Sequence, residues 1–143
     1  MTNENLWGKF TIIGKKSPKS ILEEQAHFLA SSTQNILKGE INEKVFLELD
    51  NETVRKFAPI TQYAQNIIRC TFIVVAPKMN QYKMSLFDVI YSIVDFYPLT
   101  INDKINNKEY ECNTQEEYIE KLAFVIQSEN VRKLIENLIV QNQ

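Results

Sequence analysis

Asn66-Ile67-Ile68-Arg69-Cys70-Thr71-Phe72-Ile73-Val74-Val75-Ala76 is the stretch whose reading decides the fold. From Ile68 to Ala76 every second residue is apolar or a cysteine, so one face of a strand carries no polar group. The other face sets Ile67, Ile73 and Val75 beside Arg69 and Thr71. Apolar residues on both faces predict a central strand, and Pro77 stops it.

Upstream, Leu37, Ile41, Val45, Leu47 and Leu49 alternate with Lys38, Glu40, Asn42, Lys44, Glu48 and Asp50. Period two predicts a long strand over 37–49 with one wet face. Gly39 marks a bulge or bend in it. A helix C-cap at Gly39 is the competing reading, but the alternation continues beyond it. Residues 51–65, with Pro59, read as an irregular connection. Leu6 to Ile13 reads as a short strand ending at Gly14. A helix follows, capped by Ser17 with Pro18 in its first position, or by a Ser20–Glu23 capping box. Ile21, Leu22, Ala26, Leu29 and Ala30 share one helical face, and the run from Ser31 to Asn35 ends it.

Downstream, 84–97 fits both periods. Its β-branched and aromatic content favours strand. Pro98–Asn102 and Lys108–Cys112 read as a hairpin turning at Asn106-Asn107. Thr114 and Glu117 form a capping box ahead of Tyr118, Leu122, Val125 and Ile126. After Ser128-Glu129-Asn130, a second stripe carries Val131, Leu134, Ile135, Leu138 and Ile139. The expected fold is a single α+β domain over residues 1–143. It has a mostly antiparallel sheet of about five strands, an N-terminal helix and a C-terminal helix pair.

Composition narrows the function. The 143 residues are 44% hydrophobic, which is enough to hold a core without a disulfide or a metal. The net charge is -2, so there is no basic field for nucleic acid. The opening Met1–Asn5 lacks a signal-peptide start, and no apolar run nears the ~20 residues that span a bilayer. The expectation is a cytoplasmic chain with no membrane partner and with Cys70 and Cys112 reduced.

The kit for catalysis is thin: one histidine, three glycines and two cysteines. Gly14-Lys15-Lys16-Ser17 sits where a phosphate loop would, between a strand and a helix. However, Gly8 has the wrong spacing for that motif. It reads as a solvated basic loop, with Lys15 and Lys16 as candidate anion contacts. Glu24 and His27 share the Glu-x-x-His spacing of di-iron bundles, which need it twice. His27 therefore reads as a surface residue. Cys70 reads as core. Cys112 precedes a helix N-terminus, a position that can lower a thiol pKa, yet His27 is the one histidine that could serve as its base. The pairs Glu23-Glu24 and Glu116-Glu117 complement helix dipoles. No catalytic, cofactor-binding or metal-binding residue is assigned. Tyr91, Phe96 and Tyr97 are candidate partner contacts. Their stretch carries Asp95 as its one charge, whereas Lys38 and Lys44 guard the first strand as an edge.

Ser17-Pro18-Lys19-Ser20-Ile21-Leu22-Glu23-Glu24-Gln25-Ala26, Tyr82-Lys83-Met84-Ser85-Leu86-Phe87 and Tyr97-Pro98-Leu99-Thr100-Ile101 together resemble a group of small bacterial proteins of unknown function. The resemblance implies a bacterial single domain and carries no activity. The functional expectation is a non-catalytic interaction protein, an accessory or regulatory subunit in a bacterial or phage system. It would bind a protein partner or self-associate. The alternative is a binder of a small molecule or nucleotide derivative, with a pocket between helix and sheet. A hydrolase built on carboxylates alone ranks last.

Overall fold

The structure is a computed structural model that describes residues 4–10, 16–46 and 67–143. Helix α1 (Pro18–Ser32) leads into β1 (Lys38–Phe46). Then come β2 (Ile67–Ala76), a 3-10 turn (Pro77–Met79), β3 (Tyr82–Ser92), β4 (Leu99–Asp103) and β5 (Lys108–Cys112). Helices α2 (Gln115–Ile126) and α3 (Glu129–Gln141) close the chain. The strands lie in the order β1-β2-β3-β4-β5, each antiparallel to its neighbour. This is the expected α+β arrangement.

The three helices cover one face of the sheet. Ile68, Cys70, Phe72, Val74 and Ala76 of β2 are buried there with Ile21 and Leu22 of α1, Tyr118 and Leu122 of α2, and Val131 and Leu138 of α3. On the other face Ile67, Val75 and Ile90 are buried as well. That is why β2 is apolar on both sides.

Side chains from the expected positions cap the helices. Ser17 Oγ accepts from Ser20 N at 3.0 Å, with Pro18 in the first turn. Thr114 Oγ1 accepts from Glu117 N at 3.1 Å, and Glu117 Oε2 accepts in return from Asn113 N at 2.6 Å. Ser128 caps α3. Tyr118, fully buried on α2, donates to the Pro18 carbonyl at 3.0 Å and so ties α2 to the start of α1.

Four expectations change. First, β1 pairs with β2 without a register shift from Lys38 to Phe46, so Gly39 is no bulge. Its role is close approach: a Cβ there would stand 2.7 Å from Ala26 Cβ and 3.2 Å from Phe72 Cζ. Second, the bulge lies between β2 and β3, where Phe72 pairs with Phe87 but Ile73 pairs with Ser85. Leu86 is the extra residue. Third, β3 ends at Ser92 and is the middle strand. Tyr91 belongs to the core, and the edges are β1 and β5. Fourth, Leu6 to Phe10 forms no strand. Residues 11–15 and 47–66, on which the rest of that strand, the end of the 37–49 strand and the irregular connection fall, lie outside the described residues.

Gly39→Ala should lower stability by about 1–3 kcal/mol, the usual range for an overpacked site. Combining it with Ala26→Gly should return part of the loss. Urea midpoints of the wild type and the two variants check this. An unchanged midpoint in Gly39→Ala would show that β1 and α1 can part freely.

Candidate functional site

Between α1 and α3 lies a cleft of about 360 Å3. Its floor is Phe72 of β2 and Leu86 of β3. Phe72 is held in place by stacking on Phe87, with ring centroids 5.3 Å apart and planes 13° from parallel. Leu86 reaches the floor because the bulge turns it to the same side as Phe87, and both are buried in the helix-covered core. Phe28 and Leu29 form the α1 wall; Val131, Ile135 and Ile139 form the α3 wall.

Three of the five polar side chains at the cleft, those of Arg132, Glu136 and Thr33, have partners. Arg132 and Glu136 face each other one turn apart at 3.8 Å. Thr33 Oγ1 donates to Leu29 O at 2.9 Å and accepts from Leu37 N at 3.2 Å, which closes α1 into β1. The interior offers apolar surface, and Phe28 at its rim is 55% exposed. Phe28 stands seven residues after Ile21 and so at the margin of the α1 stripe, where spacing alone does not separate core from surface. Its signal was a large aromatic beside Leu29 where a polar residue belongs.

A second hollow of about 240 Å3 lies between α1 and α2 and is lined in part by Lys16, Glu24 and Ile119. Lys16 Nζ bonds Glu24 Oε1 at 2.8 Å, so this candidate anion contact already has a carboxylate. Lys15 lies outside the described residues.

The aromatic trio is brought together, but as packing. Tyr91 is 3% exposed, its hydroxyl 3.9 Å from Cys70 Sγ and its ring edge-on to Phe96 at 5.7 Å. Tyr97 is half-buried, 6.4 Å from the Tyr118 ring. Burial pushes the Tyr97 phenol up to about 12 and raises Tyr91 and Tyr118 well above the ordinary phenol range. Tyr91 is therefore no partner contact. The exposed apolar residues of this segment are Ile93 and Val94.

Cys112 also departs from expectation. It is fully buried, and burial, with Glu117 second, pushes its thiol up to about 11. Desolvation outweighs the helix N-terminus here. Cys70 is likewise pushed up to about 11 by burial. His27 is exposed on α1, so it does not share the buried surroundings of Cys112. Among the described residues no group of three or more His, Cys, Asp or Glu side chains is placed to hold a metal. No helix among them is long and apolar enough to cross a membrane. Comparison with protein-family models, curated proteins and solved structures finds no match.

The two thiols supply a test. A raised folded-state pKa means the folded chain holds each proton more tightly. The resulting stability is complete below the ordinary thiol pKa of about 8.5. It is lost as pH climbs towards about 11. At pH 8 a thiol reagent should leave both cysteines unlabelled in the native protein and label both in urea. The melting temperature should fall through the alkaline window. Rapid native labelling of Cys112 would show that its burial is not maintained in solution.

Proposed function

We propose that the chain is a non-catalytic protein-binding module, an accessory or regulatory subunit whose cleft between α1 and α3 receives an apolar anchor from a protein partner. One observation carries this reading: the cleft is apolar within, and the charges at its rim are paired with each other. Small-molecule sites combine apolar walls with a few convergent polar groups that orient the ligand. Here Thr33 is engaged by the backbone and Arg132 by Glu136. Protein interfaces instead place aromatic and aliphatic anchors in such pockets, with a polar rim that sets register more than affinity. Phe28, on the rim and 55% exposed, is the side chain such an anchor would cover first.

Selection from a displayed peptide library tests the reading. Wild-type protein should enrich peptides bearing aromatic or large aliphatic anchors. Phe28→Asp should weaken their binding by about tenfold or more, as expected when a central aromatic contact is lost. Because Phe28 is exposed, the melting temperature of that variant should stay the same. Enrichment of peptides that bind Phe28→Asp equally well would place the interaction elsewhere.

A further inference from the structure

Strand β1 is an edge of the sheet, with β2 as its one neighbouring strand among the described residues. Its nine residues include no proline and pair with β2 without a register shift. Neither of the devices that break an edge, a proline or a bulge, is therefore present, and the outer row of backbone N–H and C=O groups is a template for a further strand. On the face away from the helices β1 carries Lys38, Glu40, Asn42 and Lys44, all four exposed. On the helical face Val45 is 50% exposed, and Glu43 is held by Lys19 at 2.9 Å.

We infer that two copies of this chain join edge to edge through β1, antiparallel and centred on Asn42, into one continuous sheet. No residue of β1 lines the cleft between α1 and α3, so this surface is separate from that one. A two-fold axis through a residue keeps both helical layers on the same side of the joined sheet and sets polar residues opposite polar ones.

Charge selects the centre. With Asn42 opposite its own copy, Glu40 of each chain lies opposite Lys44 of the other, and two opposite-charge pairs form. Val45 comes diagonal to Ile41 of the second copy, within reach of an aliphatic contact. Every other centre from Glu40 to Lys44 brings like charges together. Around Ile41, Lys38 meets Lys44; around Glu40, Glu43 or Lys44, that residue meets itself. The other edge fails the same check. A centre at Tyr110 of β5 sets Glu109 against Glu111, and a centre at either glutamate sets it against its own copy. Glu40 also bonds Lys83 at 3.1 Å, and Lys44 has a contact in its own chain as well. Exposed pairs of this kind add little affinity. Main-chain hydrogen bonds supply the association, and the charges reject the wrong registers. Lys38 and Lys44 thus guard the edge against every centre but one.

Light scattering on the whole chain tests this. The wild type should double in mass as concentration rises and go no further. Lys44→Glu sets carboxylate against carboxylate twice, and Glu40→Lys sets ammonium against ammonium twice. Each variant alone should raise the dimer dissociation constant by about tenfold or more. An equimolar mixture of the two should regain the dimer, because each offers the charge that the other lacks. A wild type that stays monomeric at every concentration overturns the proposal. So do variants that dimerise as the wild type does, and a mixture that associates no better than its parts. Mass beyond two copies overturns it too, since that needs a contact that does not close on itself, such as β1 against β5.

Discussion

The contact of Gly39 with Ala26 is the constraint on which the helical face depends. A side chain at residue 39 would meet Ala26 Cβ at 2.7 Å and Ala26 Cα at 2.8 Å, so α1 can lie on β1 at this height only over bare backbone. The link between the two elements is equally tight. Thr33 Oγ1 bonds backbone groups on both sides of the turn, from Leu29 to Leu37. Beneath them Phe72 sits on Phe87 and cannot drop away. The α1 wall of the cleft is thus fixed by one absent side chain, one hydroxyl and one stacked pair.

The opposite wall is fixed by a polar network that begins in the β4–β5 hairpin. Asp103 is 1% exposed and accepts from the backbone of Ile105 and Asn106 and from Asn106 Nδ2. Asn106 Nδ2 also donates to Ser128 Oγ, the cap of α3, at 3.0 Å, while Asn106 Oδ1 accepts from Asn130 at 2.8 Å. The start of α3 is therefore anchored to the far end of the sheet from β1. With α1 held over β1, a cleft remains between α1 and α3. The Leu86 bulge fills the floor of that gap with an aliphatic side chain.

Most of this fold was legible because it follows from local pattern. Alternation from Leu37 to Val45 and from Ile68 to Ala76 marked strands. Ser17 and Thr114 stood where helix caps stand, while Ser128, read only as part of a break, caps α3. What escaped was set by tertiary neighbours. Gly39 looks the same in sequence whether it bulges a strand or admits a helix, and Ala26 alone decides between them. The real bulge at Leu86 leaves no mark, since Leu86, Phe87 and Val89 are all apolar. The run from Tyr91 to Tyr97 lacks basic residues because it leads out of the middle strand and into the core, not because it is an unguarded edge. Cys112 was placed correctly before a helix, but its burial beneath α2 could not be read from Glu111 and Asn113 on either side. The cleft was hidden for the same reason. Its walls come from α1, β2, β3 and α3, and Phe28 sits only at the margin of the stripe that identifies α1.

Each face of the sheet buries a carboxylate together with its partners, and that bears on what can bind where. Under the helices burial shifts the thiols of Cys70 and Cys112 and the phenols of Tyr91, Tyr97 and Tyr118 towards their neutral forms, while the carboxylate of Asp103, 1% exposed opposite Phe87, is held by the backbone of Ile105 and Asn106 and by Asn106 Nδ2. On the other face Asp88, 5% exposed, accepts from Thr71 Oγ1 at 2.6 Å and pairs with Lys104 at 3.4 Å. A carboxylate in that setting keeps two partners suited to its charged form. A charged ligand in the cleft between α1 and α3 would lose water against walls that are mostly apolar. An apolar side chain carries no such cost and covers Phe28 and the floor beside it. Under the reading proposed above, the mostly apolar walls of the cleft favour an apolar anchor over a charged one.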